Sequence, residues 1–566
     1  MFDRQPVTTK STPRQFAGST CRKVLLLTVL VTLAACGGSG GGDATPTPVT
    51  DPGAAGDTLI TGKATYDLVP QVNFDNSLNY NSIRVQPIRG ATVELLNSAG
   101  SLLERATTSA SGDYQFTVAD GANVRLRVRA ELLAAGSPAW DVKVINNTNN
   151  GSLYAIEGGE FTAAGAAVTH DIHAPSGWTG SGYGQTRAAA PFAVLDVIYT
   201  GMQKVLMASP GVVFPPLSIN WSPDNRPTQG DEARGEIGTS FYRNVGDDSH
   251  IFLLGKENVD TDEYDRHIVA HEWTHYLENR LGRSDSLGGG HSSGDRLDPR
   301  VAFGEGLGYA FAGAILDNPN TIDTLGPGQE QGSNINVEDN SILNPGWYNE
   351  GSVQAAIYDF YDSAVDGPDT VELGFVPLFD VLTGQFADGV ALTTIHAYAT
   401  ALKLANPAAA VAIDAIIENQ HIASENTDAF ARNETNDADN ANDVLPIYTA
   451  LPLDGRTVNL CSIGGNLPPA SFGTYNKLSN RRFLHFETMA PGTVSITATG
   501  PNGSDPDLIL HRAGILQVAE SVSATETLST VLEAGRYVIE IYEYSNVTDN
   551  PRGRTCFGIS ATVNQE

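Results

Sequence analysis

The stretch that most limits how this chain can fold is His271-Glu272-Trp273-Thr274-His275. On an α-helix, residues four apart lie about 40° apart around the axis, so the two histidines project from one face, one turn apart. Two imidazoles so placed can share one Zn²⁺, and the carboxylate of Glu272 beside them can take a proton from a water. The flanks predict a helix beginning near Asp262 and Asp265, whose carboxylates suit an N-terminal turn. Tyr264 and Ile268 continue the histidine face and predict apolar backing for it. With 11 His in 566 residues, this pentad arises by composition alone in about 1 chain in 100.

A second segment sharpens the expectation. Asp298-Pro-Arg-Val-Ala-Phe-Gly304-Glu305-Gly306-Leu-Gly308-Tyr309 and the apolar run on to Leu316 read as a helix with one internal carboxylate. Burying Glu305 unpaired among Ala, Phe and Gly is costly, and a metal beside it removes that cost. Gly304, Gly306 and Gly308 lack the Cβ that would hold this backbone away from the first helix.

On these two segments the chain resembles the gluzincin metallopeptidases, the thermolysin- and fungalysin-like enzymes. The resemblance covers roughly residues 249–316 and implies that His271, His275 and Glu305 bind zinc and that Glu272 is the general base. The chain departs from the family's pattern in two places. Thirty residues separate His275 from Glu305, a longer spacing than in thermolysin-like enzymes. Four residues past Glu305, where those families carry an Asp that orients a zinc histidine, stands Tyr309. The metzincin pattern is excluded, because Glu278 occupies the position three after His275, where that pattern needs Gly.

At 566 residues the chain is long enough for about three domains. Its net charge of −31 excludes nucleic acid as a partner, since nothing offsets repulsion from phosphate. Residues 1–35 read as an export signal: Arg22-Lys23 precede the apolar run Val24 to Leu33, too short to span a bilayer. Leu33-Ala34-Ala35-Cys36 resembles a bacterial lipobox, which implies acylation of Cys36 and a lipid anchor. Gly at 37 favours the outer membrane or cell surface by the same resemblance. Residues 36–57, rich in Gly, Thr and Pro, form a flexible tether.

Residues 58–174 read as β. Ala91 to Leu96, Tyr114 to Val118 and Val124 to Arg129 alternate apolar with polar, with turns at Ser111-Gly-Asp and Asp120-Gly. Gly90-Ala-Thr-Val-Glu-Leu and Gly112-Asp-Tyr-Gln-Phe resemble the carboxypeptidase-regulatory or transthyretin-like sandwich. Residues 185–452 are the expected catalytic domain. It opens on a helix whose core face carries Leu195, Ile198, Met202, Val205 and Leu206. The strand His250 to Leu254 is expected at a sheet edge, where an extended peptide can pair with it. A glycine-rich loop, Ser284 to Asp298, then carries His291. His291, Tyr309, Tyr348 and His396 are all candidate donors to a tetrahedral oxyanion, and no motif selects among them.

Residues 456–566 are β again, with Val494 to Ala498 and Tyr537 to Ile541 alternating. Asp505-Pro-Asp-Leu-Ile-Leu510 and Ala534-Gly-Arg-Tyr537 resemble the bacterial pre-peptidase C-terminal (PPC) sandwich, which is often removed on maturation. In an exported protein Cys461 and Cys556, which bracket this module, are expected to close it with a disulfide. Asp505 and Asp507 are candidate Ca²⁺ ligands, though a role as turn residues accounts for them better.

The expected fold class is multidomain: a β-sandwich, an α+β zincin-like catalytic domain built on the His-Glu-x-x-His helix, then a jelly-roll-like β-sandwich. The expected function is that of a membrane-anchored zinc endopeptidase acting on peptide or protein substrates. The alternative is a non-enzymatic surface lipoprotein that displays a degenerate peptidase domain as a binding module. The intact Glu272 speaks against it.

Overall fold

The computed structural model describes residues 56–72, 76–363, 369–425, 427–439, 444–464, 475–548 and 550–565. Cys36, the expected signal and nearly all of the tether lie outside the described residues. Asp57–Glu566 form one compact unit. Among the described residues strands predominate over seven α-helices, and no single helix is long and apolar enough to cross a membrane.

The first strand, β1 (Asp57–Leu68), organises a small sheet by pairing with 84–87, 113–119, 167–169 and 172–174. Facing it is the largest sheet. Its main strands are β2 (Ala91–Asn97), β3 (Leu102–Thr107), β4 (Ala122–Ala134), β5 (Trp140–Asn146), β6 (Leu217–Trp221), β7 (Phe241–Val245) and β8 (Asp248–Leu253). Their order is β7-β8-β6-β5-β4-β2-β3. The sheet does not stop where composition places the end of the first sandwich. Leu217–Asn220 of β6 pair in parallel with Val142–Ile145 of β5, and one apolar core runs from Ile60 through Val144 to Trp273 and Phe303.

Alternation holds in β4 across Val124 to Arg129 but fails in β2, for a local reason. Glu94 is 1% exposed, because the guanidiniums of Arg105, Arg127 and Arg129 converge on its carboxylate at 3.0, 2.6 and 3.3 Å. The alternating arginines thus cover a buried charge.

Helix α1 (Ala190–Ala208) buries Leu195, Ile198, Met202 and Val205 as their spacing predicts. It lies against α2 (Arg266–Arg280), which carries the histidine pair; a Cβ on Gly201 would overlap the Trp273 ring. The expected N-terminal capping by Asp262 and Asp265 is not what the structure has. Asp265 makes no side-chain cap to α2; its carboxylate accepts from Thr324 N at 2.6 Å, Thr324 Oγ1 and Gln71 Nε2. Asp262 accepts from Ser240 Oγ. Asp265 thus takes the donors of Thr324 on the strand Asn320–Leu325 in place of those at the helix end.

After α2 come α3 (Pro299–Leu316) and α4 (Glu350–Tyr361). Asp298 caps α3 by accepting from Arg300 N at 3.0 Å, and Pro299 fits its first turn. The Asn349 side chain caps α4 by accepting from Gly351 N and Ser352 N.

The C-terminal region is two sheets packed face to face. One orders 448–450, 481–488, 535–543, 506–511 and 515–519; the other orders 458–462, 555–565, 492–499 and 525–532. Leu484, Ile496, Leu508, Ile539, Ile541 and Ile559 fill the space between them. Cys461 and Cys556 are joined by a disulfide at opposite positions of neighbouring strands. Alternation holds in 492–499 but not in 535–543, which is buried on both faces. Ile539 belongs to the sandwich core, whereas Val538 joins the main core, so this strand is a wall shared with the helical region.

Candidate metal centre

Helix α2 brings the Nε2 atoms of His271 and His275 to 3.0 Å from each other. Helix α3 delivers Glu305 to the same point, with Oε2 3.3 Å from His271 Nε2 and 3.4 Å from His275 Nε2. The approach depends on Gly308: a Cβ there would stand 2.6 Å from His271 Cε1. Gly306 serves the other side of α3, where a Cβ would meet Val353 Cβ at 2.6 Å and the Glu350 carbonyl oxygen at 2.8 Å. Gly304 is less demanding, with nothing nearer than 3.4 Å.

The donor set fits a zinc ion. Tetrahedral zinc takes His nitrogen and carboxylate oxygen at about 2.0–2.2 Å, which sets its ligands about 3.4 Å apart, near the separations found here. Two imidazole nitrogens facing each other beside a carboxylate, in a pocket where His271, Glu272 and Glu305 are each under 9% exposed, have no better common partner than a cation.

Electrostatics tie the four groups together. Burial alone would raise the Glu305 carboxyl, but His291, His275 and His271 outweigh it and hold that carboxyl well below the usual range. Burial would lower His275, yet Glu305 and Glu272 push it up to about 9. Burial raises Glu272 above the ordinary carboxylate range and Glu305 adds repulsion, opposed by the two histidines and a backbone hydrogen bond from Tyr242.

The groups around the histidines differ from the family's pattern. The Tyr309 ring packs edge-on against the His271 ring, centroids 4.4 Å apart, and His271 Nδ1 is buried without a hydrogen-bond partner. A carboxylate does lie near the other histidine: Glu278 is 1% exposed, and its carboxyl is pushed up to about 8 by burial, with His275 opposing.

Of the four candidate oxyanion donors, the structure sets two aside. His396 Nε2 contacts Glu434 at 2.8 Å in a buried pair, and the Tyr348 hydroxyl donates to Pro345 O and Asn436 Oδ1. Tyr309 and His291 adjoin the site. His291 contacts Glu305 Oε2 through Nε2 at 3.2 Å and Glu350 Oε2 through Nδ1 at 2.7 Å. Glu350 escaped the sequence reading, since an acid opening a helix is most simply a partner of the helix dipole.

The edge expected at His250–Leu254 is also displaced. Strand β8 is paired on both sides, with β6 and β7, and the edge is β7, Phe241–Val245. A second acidic group, Asp260, Asp262 and Asp323, lies behind α2 with one oxygen from each within 4.8 Å of the others. Asp505 and Asp507 join no such group among the described residues; Asp505 Oδ1 accepts from Ser523 N at 3.1 Å, a contact between segments 18 residues apart.

No protein-family model matches the chain, and no curated protein matches it in sequence. Three solved structures resemble parts of the fold. One is the pre-peptidase C-terminal domain of a collagenase from Bacillus anthracis, 14% identical over 20% of this chain and 94% of that one, TM-score 0.16. Another is PliG, a periplasmic inhibitor of g-type lysozyme from Aeromonas hydrophila, 12% identical over 21% of this chain and 97% of its own, TM-score 0.15. The third is CorA, a surface-associated copper-binding protein of Methylomicrobium album BG8, 10% identical over 21% and 98%, TM-score 0.14.

Proposed function

We propose that this chain is an exported zinc endopeptidase of the gluzincin type, held to the membrane by a lipid on Cys36, with a zincin-like catalytic region between two β-sandwiches. The observation that carries the reading is the meeting of His271, His275 and Glu305 at one point with Glu272 beside them. Zinc held by those three side chains supplies Lewis acidity, polarising a scissile carbonyl and lowering the pKa of water.

The chain's own part in the reaction then follows from its residues. Glu272, with its carboxyl raised above the ordinary carboxylate range by burial, is suited to accept the proton of the attacking water and to return it to the leaving amine. Glu305 and the two histidines are fixed by helices packed through Gly308 and Gly201, so donor positions need little rearrangement on metal binding. Tyr242, whose backbone hydrogen-bonds toward Glu272, lies on the edge strand β7. An extended substrate that adds to that edge brings its own backbone alongside the base.

The test is release of peptides from casein by the purified chain, abolished by a chelator and restored by zinc. Zinc binding without any hydrolysis would leave the non-enzymatic binding module as the reading.

A further inference from the structure

We propose that His291 is a positioning residue for Glu305: held by Glu350 on one nitrogen, it presents the other to the carboxylate that completes the zinc site. The inference rests on the zinc reading above and assigns a role to residues outside the donor set.

Four observations carry it. First, charged contacts join end to end, Glu350 Oε2 to His291 Nδ1 at 2.7 Å and His291 Nε2 to Glu305 Oε2 at 3.2 Å; the first is an ion-pair approach outside hydrogen-bond geometry. The donors lying within 4.8 Å of one another are His271, His275 and Glu305, and His291 is not among them, so it reaches the carboxylate without joining the ligand set. Second, Glu350 is 6% exposed and is placed by close packing. Gly306, next to Glu305, has no Cβ to hold off the first turn of α4, which carries Glu350.

Third, the backbone on each side of His291 is pinned. Gly290 O accepts from Lys477 Nζ at 2.9 Å and from Asn476 Nδ2 at 3.2 Å. Ser292 N donates to Asp295 Oδ2, which also binds Lys477 Nζ at 3.0 Å with both charges buried. A further clasp closes the glycine run: the Tyr475 hydroxyl meets Leu287 O and Gly288 O at 2.5 and 2.7 Å. A loop held this firmly is not built as an opening flap, and it keeps one imidazole in one place.

Fourth, one of the two histidines lacks the usual support, whereas Glu278 stands near the other. His271 Nδ1 has no hydrogen-bond partner, and the position four past Glu305 carries Tyr309. Metal ligands held by a hydrogen-bonding neighbour bind more tightly, because the neighbour fixes their orientation and basicity. Here a charged neighbour stands against the carboxylate, one more contact for a ligand that the helix packing already positions.

The experiment measures zinc affinity by competition with a chromophoric chelator, together with the absorption spectrum of the cobalt-substituted protein, for the full chain and for His291→Ala, His291→Gln and Glu350→Gln. His291→Ala should weaken zinc about 10–100-fold at unchanged thermal stability of the metal-free protein, with the cobalt coordination number retained. His291→Gln, which keeps one N–H donor, should recover part of that loss. Glu350→Gln should shift affinity in the same direction and by less, and it carries the test if the His291 variants do not fold.

Zinc affinity within twofold of wild type in the His291 variants overturns the proposal, even where peptide turnover falls, since His291 would then act on substrate. Loss of a nitrogen ligand from the cobalt spectrum also overturns it, by making His291 a ligand. A wild-type chain that binds no zinc at all removes the proposed function itself and this inference with it.

Discussion

Arg300 in the first turn of α3 and Glu540 in the C-terminal sandwich meet in a two-point ion pair, Nη1–Oε2 2.8 Å and Nη2–Oε1 3.3 Å, each residue 1% exposed. Arg481 and His511 contact the same carboxylate. Burial alone would raise Glu540, but Arg300, Arg481 and His511 hold its carboxyl well below the usual range. Glu540→Gln leaves those cations underpaired and should cost about 3–5 kcal/mol in denaturant unfolding near neutral pH. Because the folded-state pKa is depressed, that stabilisation is present above the unfolded value of about 4.3 and is lost as pH falls through the folded one. The gap between variant and wild type should therefore start to narrow below about pH 4 and close only as pH falls through the depressed folded value. A gap independent of pH would show that the charge is not what stabilises.

Glu272→Gln is nearly isosteric and leaves His271, His275 and Glu305 in place. Zinc content and unfolding temperature should hold, while peptide hydrolysis falls by at least about 100-fold, the lower range of what a general base contributes. Turnover within about threefold of wild type, measured on the zinc-loaded variant, would remove Glu272 from the mechanism.

Gly308→Ala places a methyl 2.6 Å from His271 Cε1 and 2.8 Å from its Nδ1, so α3 must withdraw or the ring must turn. The expected cost is about 1–3 kcal/mol in stability, together with weaker zinc binding, read by chelator competition. Gly304→Ala, which meets nothing nearer than 3.4 Å, should be close to neutral. Equal effects at the two positions would deny Gly308 its special role.

Much of this centre could be read before any coordinates, because its chemistry is local. Four-residue spacing puts His271 and His275 together, and a lone Glu305 among glycines needs a partner. What stayed hidden depends on residues far apart in the chain. Glu350 reaches His291 only because α4 packs against Gly306, and nothing in its own neighbourhood points there. The clasp of Tyr475 to Lys477 on the loop crosses about 185 residues of sequence. Period-2 patterning assumes one wet face per strand, so it misread Glu540, whose strand separates two cores, and Glu94, which collects three arginines. It placed a strand at His250 to Leu254 but could not tell that this strand is not the edge, since edge status belongs to the whole sheet.

Burial and repulsion from Asp323 push the Asp260 carboxyl up to about 7, and Asp262 and Asp265 are also raised, burial leading in each case. A raised folded-state pKa means that the native protein keeps protons which the unfolded chain releases. The contribution of Asp260 to stability should fall as pH rises from about 4 to about 7 and then level off. Asp260→Asn removes the ionisation. It should be more stable than wild type by about 1–2 kcal/mol at pH 8, allowing for partial exposure, and indistinguishable from it below pH 4. Urea titrations at both values decide; equal stability at pH 8 would mean that the cluster carries no net strain.

Cys36→Ser tests the anchor. Acyl chains hold a protein to a bilayer with about 0.8 kcal/mol per buried CH₂, so removing their attachment point should move the exported chain from the membrane fraction to the soluble one. A variant that still sediments with membranes would exclude a lipid on Cys36 as the anchor.

The parallel pairing of Val142–Ile145 with Leu217–Asn220 governs how this chain can be recombined. Its first hundred or so described residues look like a transferable cassette, yet a cut after residue 174 would strip β5 of the neighbour that occupies one whole side. The severed piece would present a row of unsatisfied N–H and C=O groups, a template for the wrong strand. The remainder would lose the strand that pairs with β6 on the side away from β8. Gene fusion or shuffling can therefore pass these two regions on together, but a break between them yields two sticky fragments instead of two domains.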